Sequence, residues 1–173
     1  MTRRTCHIQP FDPRDAKVVS SLVRRVFDEH VAPSFGPDGV AEMHTYVAPE
    51  AIASRALTHL TLVAMQPESH ESDSDVDAPG QSPDDAQIVG VIEVRGLDHV
   101  SMLFVRTSHM GQGIASALLA RAEARCSAKG RAALTVNSSL DARGFYERHG
   151  FVPSNVPQCV HGFAFVPMEK VLA

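Results

Sequence analysis

A glycine-containing turn between an apolar strand and a helix is the segment of this sequence best suited to chemistry. Met110-Gly111-Gln112-Gly113-Ile114-Ala115 follows the apolar run VSMLFV at 100–105 and opens a helical pattern at 113–129. Glycines let backbone N–H groups turn toward one point, and the free N–H groups of a helix start point there as well. This order predicts a cradle for a phosphate or pyrophosphate group, although a turn that binds nothing could carry the same glycines.

Two other phosphate-binding motifs are excluded by the residues that they require. A nucleotide-hydrolysing P-loop needs Gly-Lys followed by Ser or Thr, and that tripeptide occurs nowhere in the chain. A dinucleotide-binding turn needs a third glycine or alanine, where this chain has Ser116. It also needs an acid about 20 residues further on, where the chain has the apolar and polar residues 132–137.

The elements that would position this cradle alternate irregularly. Apolar runs predict strands at 6–9, 59–65, 88–94, 100–105, 132–136, 151–152 and 162–168, and helical spacing predicts helices at 13–30, from 40 toward 46, and at 113–129. Ser138-Ser139-Leu140-Asp141 resembles a capping box that would open a short helix ending at Gly150. We therefore predict an α+β fold, of the α/β-sandwich type, with a mixed sheet.

Two blocks of the chain resemble the GNAT superfamily of acetyl-CoA-dependent N-acetyltransferases. They are LFVRTSHMGQGIASALLARAE at 103–123 and TVNSSLDARGFYERHGF at 135–151, and the ending HGFAFVPMEKVL is similar to a bacterial branch of that superfamily. Gly113 and Ala115 fall on the last two fixed positions of the family's cofactor loop, whereas Met110 replaces its Arg or Gln. The resemblance implies a GNAT-like fold, a mixed and twisted sheet of six or seven strands with helices on both faces.

The resemblance also implies how acetyl-CoA would bind as co-substrate. The pantetheine arm would pair with backbone at the end of the strand 100–105, and the loop amides would hold the pyrophosphate. Asn137 would bond the cofactor or shape the gap that holds the acetyl group; a strand-end turn residue is the alternative. The cofactor-binding residues implied are Phe104, Val105, Met110, Gly111, Gln112, Gly113, Ile114, Ala115, Ser116 and Asn137.

Catalytic residues follow from the same resemblance and from proton chemistry. Tyr146 falls where family members carry a tyrosine beside the cofactor sulfur, so it would protonate the departing thiolate; a half-buried structural tyrosine is the alternative. For the base that takes a proton from the acceptor, His99 falls where some members place a carboxylate, and imidazole titrates near neutral pH. Glu93, in an otherwise apolar strand, and Asp98 compete with it.

The acceptor is expected to dock over residues 31–56, where Phe35 and Tyr46 are the candidate substrate contacts. The predicted function is acetyl transfer to a primary amine by direct attack in a ternary complex, with a small-molecule amine favoured. A catalytically silent acyl-CoA-binding or regulatory module is the alternative that Met110 favours. Acetylation of a protein N-terminus or lysine, with a peptide amine as the partner, is a third hypothesis.

Composition limits the remaining choices. The 173 residues are 44% hydrophobic and 21% charged, which predicts one globular domain over 1–173. The chain has no apolar run near the roughly 20 residues of a membrane span, no signal-type start, and three scattered cysteines. These features predict a cytoplasmic protein without a membrane partner. No metal-ligand spacing and no basic stripe with aromatics occur, so neither a metal nor nucleic acid is expected; a homodimer is compatible with the fold.

The formal net charge of −4 comes from one segment. Residues 67–86 hold seven acids and no Lys or Arg, so the rest of the chain has 16 basic against 13 acidic residues, a net +3. Low hydrophobicity with clustered like charge predicts a disordered loop at 67–86. The positive remainder suits a polyanionic cofactor.

Overall fold

A computed structural model describes residues 6–67 and 87–173, so the predicted loop at 67–86 lies outside the described residues except for Pro67. Five α-helices are found there: α1 Ala16–His30, α2 Pro37–Tyr46, α3 Pro49–Arg55, α4 Ile114–Ala128 and α5 Arg143–Arg148. Eight strands accompany them: β1 His7–Pro10, β2 Leu60–Gln66, β3 Gln87–Arg95, β4 His99–Val105, β5 Ala133–Ser139, β6 Val152–Pro153, β7 Gln158–Val160 and β8 Phe163–Val171.

All eight strands join one mixed sheet in the order β1-β2-β3-β4-β5-β8-β6, with β7 also paired to β8. Neighbouring strands are antiparallel except β4 and β5, which are parallel. The parallel ladder is short, because only His99–Thr135 and Val100–Val136 are paired. The sheet therefore consists of two antiparallel halves joined by two residue pairs.

Helices cover both faces of the sheet, as the sequence predicts. On one face, α4 buries Leu118, Ala122 and Cys126 against strand residues that include Ile92 and Leu134. On the other face, α1 and α3 bury their apolar sides against β2, β3 and β4, with a core that includes Val19, Val23, Ile52, Val63, Val91 and Met102. The alternation of apolar residues along β3 supplies both cores from one strand.

Two expectations from the sequence differ from the structure. The sheet has eight strands instead of six or seven, because the short, exposed segments β6 and β7 pair with β8. The predicted capping box is wrong, since Ser138 and Ser139 belong to β5 and pair with Val166 and Phe165 of β8. The helix α5 begins only at Arg143, because strand pairing holds the chain extended through Ser139.

Gly90 sets the close approach of α4 to the sheet. A Cβ on Gly90 would lie 3.1 Å from Ile114 Cγ2, 3.1 Å from Leu118 Cδ1 and 3.3 Å from the Phe104 carbonyl oxygen. These neighbours belong to the start of α4 and to β4, so a side chain at this point would push the helix start away from the strand. The absence of a side chain at residue 90 therefore fixes where the N-terminus of α4 lies.

We predict that Gly90→Ala lowers the free energy of unfolding by about 1–3 kcal/mol, because the core around it is already filled. The matched control is Gly144→Ala in α5, where the nearest atom to a new Cβ is the mobile end of Arg148, 3.5 Å away. That substitution should stabilise the protein slightly, since alanine favours helix over glycine. Urea unfolding measures both; an unfolding free energy unchanged by Gly90→Ala would contradict the packing described here.

Candidate active site

The end of the parallel ladder between β4 and β5 opens the main cleft of the molecule. Beyond Val100 and Val136 no residue pair joins the two strands within the described chain, so β4 presents a free backbone edge from Ser101 to Val105. A central cavity of about 300 Å³ lies there, lined by both strands, by Met43 and by Tyr146. An unpaired strand edge in a cleft is a template for an extended ligand arm.

The glycine turn forms the wall of an adjoining loop cavity of about 740 Å³. Gly111 and Gly113 have φ angles of +75° and +81°, a conformation that favours glycine, and the second is the N-cap of α4. The first helical bond runs from the Ala117 amide to the Gly113 carbonyl, and no side chain caps the helix. The amides of Ile114, Ala115 and Ser116 are therefore free of intrahelical partners, an arrangement that is chemically suited to an anion.

The ten cofactor-binding residues implied by the resemblance do not all line the same cavity. Seven of the ten implied cofactor-binding residues line the loop cavity: Val105, Met110, Gly111, Gly113, Ile114, Ala115 and Ser116. Phe104 and Asn137 line the central cavity instead. Gln112 does not line either cavity; its exposed side chain turns back toward the loop, where its Nε2 donates to the Ser108 carbonyl at 3.4 Å.

Tyr146 lies where the loop cavity and the central cavity meet. Its ring is buried and packs edge-on against Phe145 and Phe151, with centroid distances of 5.2 Å and 5.3 Å. No hydrogen bond to its hydroxyl is found among the described residues. Burial raises the pKa of Tyr146 well above its ordinary value, so the phenol keeps its proton and faces the cleft as a donor.

The Ser116 side chain has a hydrogen-bond partner, His149, that the sequence does not predict. His149, at the end of α5, places Nε2 2.9 Å from Ser116 Oγ, while its Nδ1–H donates to the Phe145 carbonyl at 2.8 Å. This contact connects the first turn of α4 to α5, and hence the free helix amides to the helix that carries Tyr146. Its only sequence signal is the placement of a histidine just after α5, which by itself indicates nothing.

A β-bulge in β4 directs a hydroxyl at the buried Glu93. Between Glu93 and Val94 the register of β3 on β4 shifts, which leaves Ser101 as the extra residue. Ser101 lines the central cavity, and its Oγ donates to Glu93 Oε1 at 2.8 Å. The Ser101 hydroxyl therefore lies between the Glu93 carboxylate and the central cavity.

Glu93 is fully buried and is held by groups from three other elements. Tyr46 Oη donates to its Oε1 at 2.7 Å, Arg55 Nε lies 3.2 Å from both carboxylate oxygens, and Ser101 Oγ donates to Oε1; His59 Nδ1 lies 3.4 Å from Oε1 without forming a hydrogen bond. Arg55 also stacks 3.7 Å over the Tyr46 ring and donates to the Tyr46 carbonyl. Burial raises the pKa of Tyr46, so its hydroxyl also stays protonated.

The structure places His99 apart from these residues. It lies in the paired part of β4, where its Nδ1–H donates to Thr135 Oγ1 at 2.8 Å. It lines a different cavity, the edge cavity of about 520 Å³, together with Arg95, Asp98 and Arg131. Burial lowers the pKa of His99, and the positive charge of Arg95 adds to this effect. The structure thus brings Tyr146 and Ser101 to the central cleft and does not bring His99 there.

An outer cavity of about 340 Å³ continues the cleft away from the loop. It lies between α2 and the β7–β8 hairpin and shares Phe35, Met43, Asn137 and Phe163 with the central cavity. Tyr46 lines it, so both candidate substrate residues are found here. Within residues 6–67 and 87–173, no cluster of His, Cys, Asp and Glu could hold a metal, and none of the helices is long and apolar enough to cross a membrane.

Comparison with known proteins gives one family and one fold. The family model described as "Acetyltransferase (GNAT) domain" matches residues 82–172. A GCN5-related N-acetyltransferase from Rhodopseudomonas palustris superimposes with a TM-score of 0.74 at 23% identity, covering 99% of each chain. The PaiA N-acetyltransferase from Thermoplasma acidophilum, solved in complex with coenzyme A, gives 0.71 at 16% identity, covering 96% of this chain and 99% of that one. No curated protein is detectably similar in sequence.

A double-mutant cycle tests the energetics of the buried ion pair. We predict that Glu93→Gln and Arg55→Met each lower the free energy of unfolding by about 3–5 kcal/mol, because each leaves an uncompensated buried group. The double variant should lose clearly less than the sum, since it buries neither charge. Urea unfolding of the four proteins measures this coupling; strictly additive losses would show that the two groups do not stabilise each other.

Proposed function

The chain belongs to the GNAT acetyltransferase family, and from this premise we propose that it transfers the acetyl group of acetyl-CoA to a small primary amine by direct attack in a ternary complex. The observation that carries the proposal is one continuous cleft. It runs from free helix amides, past an unpaired strand edge and a protonated tyrosine, to an open acceptor cavity.

The residues present fit acetyl-CoA. The amides from Gly111 to Ser116 would bind the pyrophosphate, and Arg148 at the rim of the loop cavity adds a positive charge. The free edge of β4 at Phe104 and Val105 would pair with the pantetheine arm as an added strand would. Met110, 45% exposed at the loop, contributes apolar contact instead of a polar side chain, while the backbone donors do not depend on the side chain at that position.

Tyr146 would act as the general acid. The amine nitrogen forms a bond to the acetyl carbon, the carbon–sulfur bond breaks, and the sulfur leaves with the bonding electron pair. A thiolate that develops near Tyr146 can take the phenolic proton, because the hydroxyl lies where the two cavities meet and has no other partner among the described residues. The tyrosine is then restored from solvent after the products leave.

Glu93 would receive the proton that the acceptor loses. Because Glu93 is fully buried, an amine reaches it only through Ser101 or Tyr46, whose hydroxyls both donate to Oε1. When the amine attacks, its N–H proton would pass to one of these oxygens while that hydroxyl passes its own proton to the carboxylate. After the products leave, Glu93 would return this proton to solvent through the same hydroxyls. Arg55 would hold Glu93 in place as a positioning residue, and His99 has no part in this pathway because it lines the edge cavity.

The test is release of coenzyme A thiol from acetyl-CoA with a panel of primary amines. We predict that Tyr146→Phe lowers kcat by about 100-fold with little change in acetyl-CoA affinity, because only the donated proton is lost. The free energy of unfolding should not fall, since the hydroxyl has no described partner.

Tyr46→Phe is the matched control, because it removes the same atom from a hydroxyl that does bond a buried carboxylate. It should lower the free energy of unfolding by about 1.5–3 kcal/mol. Full activity of Tyr146→Phe would exclude its role as the acid. Tight binding of acetyl-CoA with no turnover of any amine would instead establish the silent-module alternative.

A further inference from the structure

The outer cavity is walled by a stack of three phenyl rings. Phe35 lies against Phe163 with a centroid distance of 4.1 Å and an angle of 17° between planes, and Phe163 lies 5.9 Å from Phe165 at 24°. Phe27 supports Phe35 edge-on at 5.1 Å. These contacts fix the rings in place before any ligand binds, and Met43 and Val160 extend the apolar wall.

The ring stack is held by a close approach of two backbones. A Cβ on Gly162, in the turn between β7 and β8, would lie 3.0 Å from the Gly36 amide nitrogen, and one on Gly39 would lie 3.1 Å from the His161 carbonyl oxygen. Glu42 and His161 pair across the same junction at 2.6 Å. The hairpin and the start of α2 therefore form one rigid side of the cavity.

The charges around the outer cavity do not suit a polycation. Among its described lining residues, the one carboxylate is Glu42, which is paired with His161 and is 67% exposed at the rim. The Tyr46 hydroxyl is committed to Glu93, and Asn137 supplies a neutral amide. A polyamine would need several acidic partners along its length, and the apolar wall offers none.

We infer, resting on the proposed function, that the acceptor is a monoamine carried on an aromatic or apolar body. Its ring would pack against Phe163 and Phe35, while its nitrogen would lie toward Asn137 and Ser101. That nitrogen arrives as an ammonium and first loses one proton to solvent; the neutral amine then gains the acetyl group and loses a second proton toward Glu93, as in the proposed reaction. Phe163, which lines the loop, central and outer cavities, is the specificity-determining residue.

Three acceptors distinguish the amine classes with the unmodified protein. 2-Phenylethylamine, spermidine and a short peptide with a free N-terminus and a lysine are compared by kcat/KM for thiol release. We expect 2-phenylethylamine to exceed both others by at least about tenfold, which is the effect of one good aromatic contact. Equal or better use of spermidine or of the peptide would overturn the inference while leaving acetyl transfer intact. Turnover of none of the three, or of any other amine, would overturn the proposed function itself.

Phe163→Leu tests the ring directly, because leucine keeps the site apolar but removes the aromatic face. We expect KM for 2-phenylethylamine to rise about tenfold while KM for ethylamine, which has no ring, stays unchanged. The matched control is Phe145→Leu at the loop cavity, which should leave the ratio of kcat/KM for the two amines unchanged. Thermal unfolding and acetyl-CoA binding verify that both variants are folded. An equal effect of Phe163→Leu on both amines would contradict the inference.

Discussion

Within the described chain, only two residue pairs, His99–Thr135 and Val100–Val136, join the two halves of the sheet by strand pairing. Everything assigned to the active site lies on the side where this ladder stops. An edge strand inside a molecule carries backbone groups that need partners, and leaving them without any is costly. In the proposed complex, a ligand arm that pairs with β4 would supply those partners, so the early end of the ladder and the proposed affinity for an extended cofactor would have the same physical origin.

The β-bulge at Ser101 lies at the same point of β4, directly after Val100, the last residue that pairs with β5. One extra residue in β4 opposite Glu93 turns the Ser101 hydroxyl toward the carboxylate at the point where the strand leaves β5. A buried carboxylate without partners is strongly destabilising, and here Arg55, Tyr46 and Ser101 all contribute. The cluster thus stabilises the region beside the cleft and also connects it to a proton acceptor. Stability and the proposed chemistry use the same atoms.

The glycine turn before α4 was predictable because its signals are local. Gly111 and Gly113 follow an apolar strand and precede a helix, and both take the positive φ that favours glycine. The order of strands and helices along the chain was enough to predict the fold class. Short exposed strands such as β7 were not predictable, since their pairing depends on β8 and not on their own residues. Ser138 was predicted to open a capping box, but it pairs with β8 as part of β5, and it is Ser139 Oγ that accepts from the Ala142 amide before α5.

The rest of the site depends on contacts between distant parts of the chain. Tyr46 and Arg55 reach Glu93 across 47 and 38 residues of sequence, and no spacing rule connects them. The stack of Phe35 on Phe163 is equally long-range. Counting back along the chain from the glycine turn made His99 a candidate for the general base, but only the register of β4 on β5 shows that it lies where the strands are still paired.

The central claim is that coenzyme A binds along the opened edge of β4 and at the start of α4. Amide NMR of the uniformly labelled protein, titrated with coenzyme A, tests it residue by residue. The account predicts large shift changes from Ser101 to Val105 and from Gly111 to Ser116, with little change at Arg95, Arg131 and Thr135 of the edge cavity. Shift changes centred on Arg95 and Arg131, two cations that could also attract a phosphate, with the loop unaffected, would contradict it.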